Sequence, residues 1–359
     1  QGVNYELTLD LGLQYMQDQR LAAAVQQSGA RSGIAITLSV TTGEILALSD
    51  YPTFDPNNIS AEPSDNLGNR AVRDAYEPGS VEKVLTMAAL VDQGLVAPDT
   101  RVIVPGQIAS GDSLIKDAWG HDTIHLTAAG VLARSSNVGI LLLLRQMDKA
   151  TITDYLTRFG LGQATNSGLP GEATGYVPGA DMSDQTRDNM AFGQGLSVTA
   201  LQEAAAVAAI VNGGVYVSPS IVASATKADG TPVTLPEPAV RRVVSAETSA
   251  QVLRMMESVV DFNKNSFDIP GYRTAGKSGT AEAIDPTCGC YRGYVMSYLG
   301  VAPADNPQLL TYVVLDHPTT GGSGTAAAAP AVKDIMSVAL PRYGVPTSTT
   351  DLPGLPIEW

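Results

Sequence analysis

The sequence lacks several features that would each have indicated a class of protein. No run of eighteen apolar residues occurs, so no segment is predicted to span a membrane. Positive charge is scarce: 22 Lys and Arg stand against 36 Asp and Glu, and the net charge of −14 argues against a nucleic-acid-binding protein. No secretory signal opens the chain, which begins at Gln1 as an excised fragment would, so we expect any export signal or anchor to lie outside it.

Cysteine is equally scarce. Cys288 and Cys290 are separated by one residue, a spacing too short for a relaxed disulfide with the usual Cα separation. His121, His125 and His317 do not form a metal-ligand spacing with them, so no metal site is predicted. We therefore predict two loop thiols, from which the redox state of the compartment cannot be inferred.

The chain does contain enough apolar material for a folded catalytic protein. Of its 359 residues 44% are hydrophobic and 16% charged, and the length suits one large catalytic domain or two domains. The apolar pattern predicts strands at 3–9, 33–40, 45–49, 272–283, 294–301 and 309–316. It predicts helices at 11–27, 127–134, 138–147, 152–159, 201–211 and 326–340.

The order of these elements favours an α+β fold. A hairpin, a long helical insert, three more strands and a last helix favour an antiparallel sheet covered by helices, beside a helical subdomain. We expect the sheet part at about 1–60 and 265–341, the helical subdomain at about 80–260, and an irregular tail at 342–359. Ser80 would then lie at the seam between the two parts, where clefts commonly form.

The first candidate for chemistry is an S-x-x-K pattern made by Ser80 and Lys83. It follows the turn residues Pro78 and Gly79 and opens an apolar stretch that suits a buried helix. Because serine is a favoured N-cap, the helix is predicted to begin at or beside Ser80. Residues i and i+3 share a helix face, so the amine of Lys83 could serve as the base that a serine nucleophile needs. Burial or a second cation would have to lower the pKa of that amine.

The pattern is weak by itself. Ser113 and Lys116 repeat it without a long apolar helix after them, and we interpret 113–116 as a surface loop. For an isolated S-x-x-K, an N-cap serine beside a solvated lysine is the simpler explanation. Ser80 therefore needs partners elsewhere in the chain.

Two further stretches supply such partners. Ser135 and Asn137 form an S-x-N pattern between two apolar helices. The first returning strand carries a lysine, two hydroxyl groups and a glycine: Lys277, Ser278, Gly279 and Thr280. The missing side chain of a strand glycine lets another backbone or a ligand come close, although a polar edge strand is the simpler interpretation.

The order of the three motifs resembles that of the penicillin-recognising serine enzymes. Over nearly all of its length the chain is similar to the transpeptidase domain of class B penicillin-binding proteins, with the division-specific septal branch as the best match. Supporting stretches are 42–47, 54–57, 69–71, 193–195 and 199–202. The resemblance implies a penicillin-binding/β-lactamase-like fold, with a five-stranded antiparallel sheet flanked by helices and an all-helical subdomain.

The resemblance also implies acyl transfer on peptidoglycan stem peptides that end in D-Ala-D-Ala, and inhibition by β-lactams. Ser80 would be the nucleophile and Lys83 its base, kept neutral by the neighbouring charge of Lys277. Ser135 would relay the proton to the leaving amine, and Asn137 would hold the substrate amide and Lys83. The terminal carboxylate would be bound by Lys277, Ser278 and Thr280, and Gly279 is the fourth residue of this substrate- and β-lactam-binding motif. The backbone N–H groups of Ser80 and Thr280 would form the oxyanion hole, and no cofactor or metal is needed.

The sequence departs from the family pattern at two positions within the motifs, and two alternative functions stay open beside the transpeptidase. Glu82 stands where many relatives carry an apolar residue and should point away from Ser80, while Ser278 replaces the commoner threonine but keeps a hydroxyl. One alternative is a serine β-lactamase, for which Glu172 is the candidate for activating water. The other is a non-catalytic penicillin-binding sensor or scaffold.

Location and partners follow from the resemblance alone. It implies a membrane-anchored pedestal domain upstream and a position on the outer face of the bacterial cytoplasmic membrane. A membrane glycosyltransferase and divisome proteins are the expected partners, and nucleic acid is not.

Overall fold

The structure is a computed structural model that describes residues 2–61, 63–263, 266–285, 288–351 and 354–359. The strands are β1 (Val3–Leu7), β2 (Ser32–Ser39), β3 (Ile45–Tyr51), β4 (Ala75–Tyr76), β5 (Arg101–Val104), β6 (Gln107–Ser110), β7 (Ser113–Lys116), β8 (Ile124–Thr127), β9 (Val198–Thr199), β10 (Val215–Val217), β11 (Val222–Lys227), β12 (Val240–Arg242), β13 (Ala275–Asp285), β14 (Cys290–Ala302) and β15 (Leu309–Asp316). The helices are α1 (Leu11–Ser28), α2 (Arg70–Arg73), α3 (Lys83–Asp92), α4 (Ala128–Ala133), α5 (Asn137–Leu144), α6 (Lys149–Arg158), α7 (Asp184–Met190), α8 (Ala200–Val211), α9 (Ala246–Phe262), α10 (Gly324–Ala327) and α11 (Ala329–Arg342).

Five strands from both ends of the chain form the central antiparallel sheet, in the order β13, β14, β15, β2 and β3. The predicted α+β fold is therefore confirmed. Alternate residues of β15 enter two separate cores: Tyr312 and Val314 pack with α8, whereas Val313 and Leu315 pack with α1 and α11. Because both faces are covered, the strand is a continuous apolar run rather than an alternating one.

The helical part is built around α3. Each residue from Lys83 to Val91 is buried, because α4, α5, α6, α8 and α9 all pack against this helix. The prediction that Ser80 caps the helix is wrong. Ser80 lies in a 3₁₀ turn, Gly79–Val81, in which the N–H of Glu82 donates to the Gly79 carbonyl at 3.0 Å, and the α-helix begins at Lys83.

Short strand pairs correct the expectation of an all-helical subdomain. The pairs β5–β8, β6–β7 and β10–β12 all lie within 80–260. Residues 113–116 form β7 rather than a surface loop, because Ile115 pairs with Ile108 across a hairpin that reverses at Gly111, whose φ is +55°. The predicted N-terminal strand exists but pairs with β11 instead of joining the central sheet.

The cysteines are not free thiols, as was predicted, but form a disulfide. Their Cα atoms are 5.2 Å apart, within the usual range for a disulfide. The spacing argument failed because Gly289 between them adopts a left-handed conformation, with φ +64°, and turns the chain back on itself. Residues 286–287 of the same loop lie outside the described residues.

The C-terminal tail returns to the helical part. The Trp359 ring stacks on His125 with the ring centroids 4.6 Å apart, and its Nε1–H donates to the Leu126 carbonyl at 3.0 Å. Apart from 352–353, which are not described, the tail beyond Arg342 contains no helix or paired strand longer than a single bridge. Within the described ranges, no helix combines the length and the apolar character needed to cross a bilayer.

Candidate active site

A cavity of about 600 Å³ opens at the seam between β13 and the helical part. Its walls include residues from all three predicted motifs: Ser80, Ser135, Asn137, Ser278 and Thr280. A second cavity, of about 320 Å³, lies next to it and contains none of the three motifs. The structure therefore brings together in one cleft the motif residues Ser80 and Thr280, which are 200 positions apart in the sequence (280 − 80).

The turn that carries Ser80 packs directly onto β13. A Cβ atom added to Gly79 would lie 3.0 Å from Ala281 Cβ, and one added to Gly279 would lie 3.0 Å from the Pro78 carbonyl oxygen. Gly79 also has a left-handed φ of +61°, and its N–H donates to the Gly193 carbonyl at 3.1 Å. The backbone that comes close to Gly279, as expected for a strand glycine, is that of the turn that carries Ser80.

Lys83 is completely buried, and three oxygen atoms surround its amine. Nζ lies 2.6 Å from the Ser135 carbonyl oxygen, 2.6 Å from Asn137 Oδ1 and 3.1 Å from Ser135 Oγ. The Asn137 amide donates through Nδ2 to the Lys116 carbonyl at 3.2 Å, which fixes Oδ1 toward the lysine. The S-x-N motif is thus a cradle for the amine of Lys83.

These contacts suit a neutral amine as well as a charged one. The Ser135 carbonyl and Asn137 Oδ1 can only accept, so they use two N–H groups of Lys83. The third neighbour, Ser135 Oγ, can donate as well as accept. A neutral Lys83 can therefore keep all three contacts, with its lone pair accepting from the Ser135 hydroxyl.

Lys277 approaches the same hydroxyl from the sheet. It is fully buried, and Nζ lies 2.9 Å from Ser135 Oγ and 3.0 Å from the Ser278 carbonyl oxygen. Ser135 Oγ thus lies between the two lysine amines. Ser135 reaches this place with a left-handed φ of +55°, which is uncommon for a residue other than glycine.

Burial is the main reason why the pKa values of both lysines are lowered. It lowers the pKa of Lys83 well below its ordinary value, the charge of Lys277 lowers this pKa further, and the carboxylate of Asp117 raises it. Burial also lowers the pKa of Lys277, to about 7. The predicted effect of Lys277 is therefore present, but it comes second to burial.

Glu82, two residues after Ser80, is fully buried. The sequence pattern did not indicate this burial. Its two carboxyl oxygens and those of Glu203 have no hydrogen-bond partner among the described residues. Burial, and then the charge of Glu203, raises the pKa of Glu82 well above its ordinary value, and burial raises that of Glu203 to about 8. At neutral pH we therefore expect protonated acids here, which fit the apolar packing of α3.

Three other groups at the site were missed by the sequence interpretation. Glu282, two residues after Thr280, is the one carboxylate among the described residues that line the cavity. Lys116 also lines it, so the second S-x-x-K contributes to the cleft although Ser113 does not. Asp117 lies behind the S-x-N motif. Of these three, only Glu282 could have been found from the sequence. Alternate residues of a strand share a face, so Glu282 lies on the same face of β13 as Ser278 and Thr280.

The disulfide loop lies at the edge of this region. Next to Cys290, the Tyr291 hydroxyl donates to Glu77 Oε1 at 3.2 Å, and the same oxygen accepts from the Gly195 N–H at 2.9 Å. This contact attaches the loop to the wall of the second cavity, which Glu77 lines, without the disulfide. We therefore expect Cys288 and Cys290 to be dispensable for acylation.

This expectation can be measured directly. The double variant Cys288→Ser/Cys290→Ser should be acylated by penicillin within about twofold of the wild-type rate, as is usual for surface changes. Tyr291→Phe is the matched control, because it removes the hydroxyl that contacts Glu77 and leaves the disulfide intact. A folded double variant that no longer reacts would show that the disulfide shapes the cleft.

The fold and the grouping of serine and lysine side chains place the chain in the class of penicillin-recognising serine enzymes. The family model of the penicillin binding protein transpeptidase domain matches residues 33–337, and the chain belongs to this family. The recognition made from the three motifs is thus confirmed.

Several relatives are similar over almost the whole chain. The chain is 38% identical to the penicillin-binding protein PbpB of Mycolicibacterium smegmatis, over 99% of this chain and 57% of the relative. It is 37% identical to the peptidoglycan D,D-transpeptidase FtsI of Escherichia coli K12, over 93% of this chain and 55% of the relative. The chain thus spans little more than half the length of these curated relatives.

Solved structures agree with this assignment. The chain is similar to penicillin binding protein 3 of Mycobacterium tuberculosis complexed with aztreonam, with a TM-score of 0.93 and 38% identity, over 100% of this chain and 82% of that one. The same protein complexed with ampicillin gives a TM-score of 0.94. The fold prediction, including the five-stranded antiparallel sheet, is therefore confirmed.

Proposed function

We propose that this chain is a serine D,D-transpeptidase that cross-links peptidoglycan stem peptides through an acyl-enzyme on Ser80 and is acylated and inhibited by β-lactams. The observation that carries the proposal is the position of Ser135 Oγ, 3.1 Å from the amine of Lys83 and 2.9 Å from that of Lys277, in the cleft that also contains Ser80. A serine, a buried lysine with a lowered pKa and a hydroxyl relay are the parts that acyl transfer without a metal requires.

Acylation of Ser80 is the first step. Ser80 Oγ attacks the carbonyl of the penultimate D-Ala, and neutral Lys83 takes the hydroxyl proton. The backbone N–H groups of Ser80 and Thr280 stabilise the developing oxyanion, at about 3 kcal/mol per donor. The C–N bond to the terminal D-Ala then breaks, and the proton reaches the leaving amine through Ser135.

Substrate binding uses both walls of the cleft. Lys277, Ser278 and Thr280 bind the terminal carboxylate, while Gly279 keeps the strand close to the serine turn. Asn137 holds the peptide amide as well as Lys83. An amine from a neighbouring stem peptide then attacks the ester, which forms the cross-link and returns the proton to Ser80.

Peptide turnover tests this proposal. The chain should release D-alanine from a peptide ending in D-Ala-D-Ala and, with an added amino acceptor, form the corresponding new amide. Ser80→Ala should do neither. Covalent penicillin labelling without release of D-alanine and without exchange would instead favour a sensor or scaffold.

The β-lactamase alternative is disfavoured by the setting of Glu172. This carboxylate accepts hydrogen bonds from Thr165, Asn166 and Ser167 and organises its own loop, and it does not line the cleft. We therefore expect slow deacylation, with a penicillin adduct that persists for many minutes. Rapid turnover of a chromogenic cephalosporin would move the chain to the β-lactamases, and Glu282→Gln would then show whether the cleft carboxylate activates the water.

We also propose the cellular setting. The names of the relatives favour the septal branch, with a membrane anchor and pedestal upstream, the domain on the outer face of the cytoplasmic membrane, and a membrane glycosyltransferase and divisome proteins as partners. The division into a sheet part and a helical subdomain within 1–341 stays a prediction. Localisation of the full-length protein away from the division site would contradict the septal assignment.

A further inference from the structure

Asp117 is a buried carboxylate directly behind the S-x-N motif. It follows β7, its side chain is fully buried, and its two oxygens face three groups. Oδ2 accepts from Ser136 Oγ at 2.6 Å and lies 3.0 Å from His121 Nε2, while Oδ1 accepts from the Val138 N–H at 3.0 Å. The carboxylate thus holds both neighbours of Asn137 in the chain.

These contacts fix the direction of the Ser136 hydroxyl. Ser136 is the N-cap of α5, and its Oγ accepts from the Gly139 N–H at 2.8 Å. Because the Ser136 hydroxyl donates its hydrogen bond to Asp117, a lone pair of Ser136 Oγ is left free to accept from the Gly139 N–H. Ser135, one residue earlier, holds its left-handed conformation between this cap and the end of α4, where the Ser136 N–H donates to the Val131 carbonyl at 2.9 Å.

We propose that Asp117 is a positioning residue for the acyl transfer: it holds the segment 135–137 against Lys83 and places a negative charge behind that lysine. The inference rests on the proposed function, in which Lys83 is the base. Asp117 touches neither Ser80 nor the cavity, so it acts through the motif that it supports.

The charge has a defined effect on Lys83. The positive charge of Lys277 acts on the amine from β13, and the negative charge of Asp117 acts on it from the residue after β7. The segment 135–137 presents only neutral oxygens to it. Next to Lys83 in the chain, Glu82 forms a buried pair with Glu203, and burial raises the pKa of both carboxyl groups. His121, whose Nε2 lies 3.0 Å from Asp117 Oδ2, is a second titratable neighbour of Asp117. Removing the negative charge of Asp117 therefore lowers the pKa of Lys83, and Lys83 stays neutral down to lower pH.

Two substitutions separate the charge from the geometry. Asp117→Asn removes the charge and one acceptor, so the acid limb of the penicillin acylation rate should move to lower pH while the maximum rate falls. Asp117→Glu keeps the charge, so its limb should stay at the wild-type position while the maximum falls. Both substitutions are then repeated in a Lys277→Met background. There the acid limb of the acylation rate lies at higher pH, so its shift falls within the pH range in which the rate can be measured.

Matched controls cover a structural effect or a failure to fold. Asp188→Asn removes another buried carboxylate, which pairs with Arg145 at 2.6 Å away from the cleft, and should leave the limb in place. Ser136→Ala keeps the charge of Asp117 but loses the hydroxyl, so it should lower the maximum rate without moving the limb.

The outcomes distinguish this inference from the proposed function. A wild-type chain that penicillin does not acylate contradicts the proposed function itself. If the wild type is acylated with an acid limb, but Asp117→Asn leaves the limb unmoved, the inference about charge is overturned while the function stands. A Ser136→Ala variant that reacts at the wild-type rate overturns the positioning part.

Discussion

Ser80→Ala is expected to abolish covalent labelling by a fluorescent penicillin, whereas Ser113→Ala should be labelled at the wild-type rate. Both serines occupy the first position of an S-x-x-K pattern, so the pair is matched in sequence. Only Ser80 lines the cleft that contains the S-x-N and K-S-G-T residues. Ser113 lies in β7, where its Oγ accepts from the Gln185 amide at 3.1 Å.

The expected size of the effect is a complete loss, because the adduct is an ester of the Ser80 oxygen and we assign Ser135, Ser278 and Thr280 other roles. Melting temperature should change little, since a serine in a turn is replaced by a smaller residue. Labelling of Ser80→Ala at more than background, or loss of labelling in Ser113→Ala, would contradict the assignment of the nucleophile.

Lys83→Met and Lys277→Met are expected to fail in different ways. Loss of Lys83 removes the proposed base, so the second-order acylation rate should fall by about 10²- to 10⁴-fold at every pH. Loss of Lys277 removes a proposed partner of the ligand carboxylate, and a rate loss of about 10- to 100-fold follows from the usual strength of hydrogen bonds to charged groups. Both substitutions keep much of the side-chain volume.

The pH dependence of Lys277→Met follows from the sign of the interaction. Below its own pKa of about 7, Lys277 is positive and disfavours the charged form of Lys83. Without Lys277 the pKa of Lys83 rises, so the base is more often protonated at low pH. The deficit of Lys277→Met should therefore shrink as the pH rises, whereas that of Lys83→Met should not.

Lys116→Met is the matched control for these variants, since Lys116 ends the second S-x-x-K and also lines the cleft. It should change the rate far less than Lys83→Met. If Lys277→Met is as inactive as Lys83→Met at every pH, the division of roles is wrong. If Lys83→Met reacts normally, Lys83 is not the base, and Ser135 or Lys277 must take that place.

The parts of the fold that could be predicted were those with a strong local pattern. β15 was predicted at the residues it occupies, because an apolar run of eight residues between turn signals has few alternatives. The pairing of β1 with β11 could not be predicted, since it joins residues more than 200 positions apart and neither strand is strongly apolar. The hairpin of β6 and β7 was missed for another reason, because each of its strands has only four residues.

The motif residues of the site could be predicted from the sequence, but the hydrogen bonds that connect them to the rest of the protein could not. The three motifs identified the residues that meet in the cleft, because their order along the chain is specific. Asp117 was missed because its contacts with Ser136 and Val138 span about twenty residues and leave no pattern in the sequence. The disulfide was missed because the spacing rule ignored the left-handed turn that Gly289 allows.

Acylation of Ser80 is tested most directly by the intact mass of the chain after reaction with a fluorescent penicillin, followed by sequencing of the labelled peptide. If Ser80 is the nucleophile, there is one adduct per chain, it is carried by the peptide that contains Ser80, and it is still present after many minutes. An adduct on a peptide containing Ser113, or no adduct on a folded chain, would contradict this assignment.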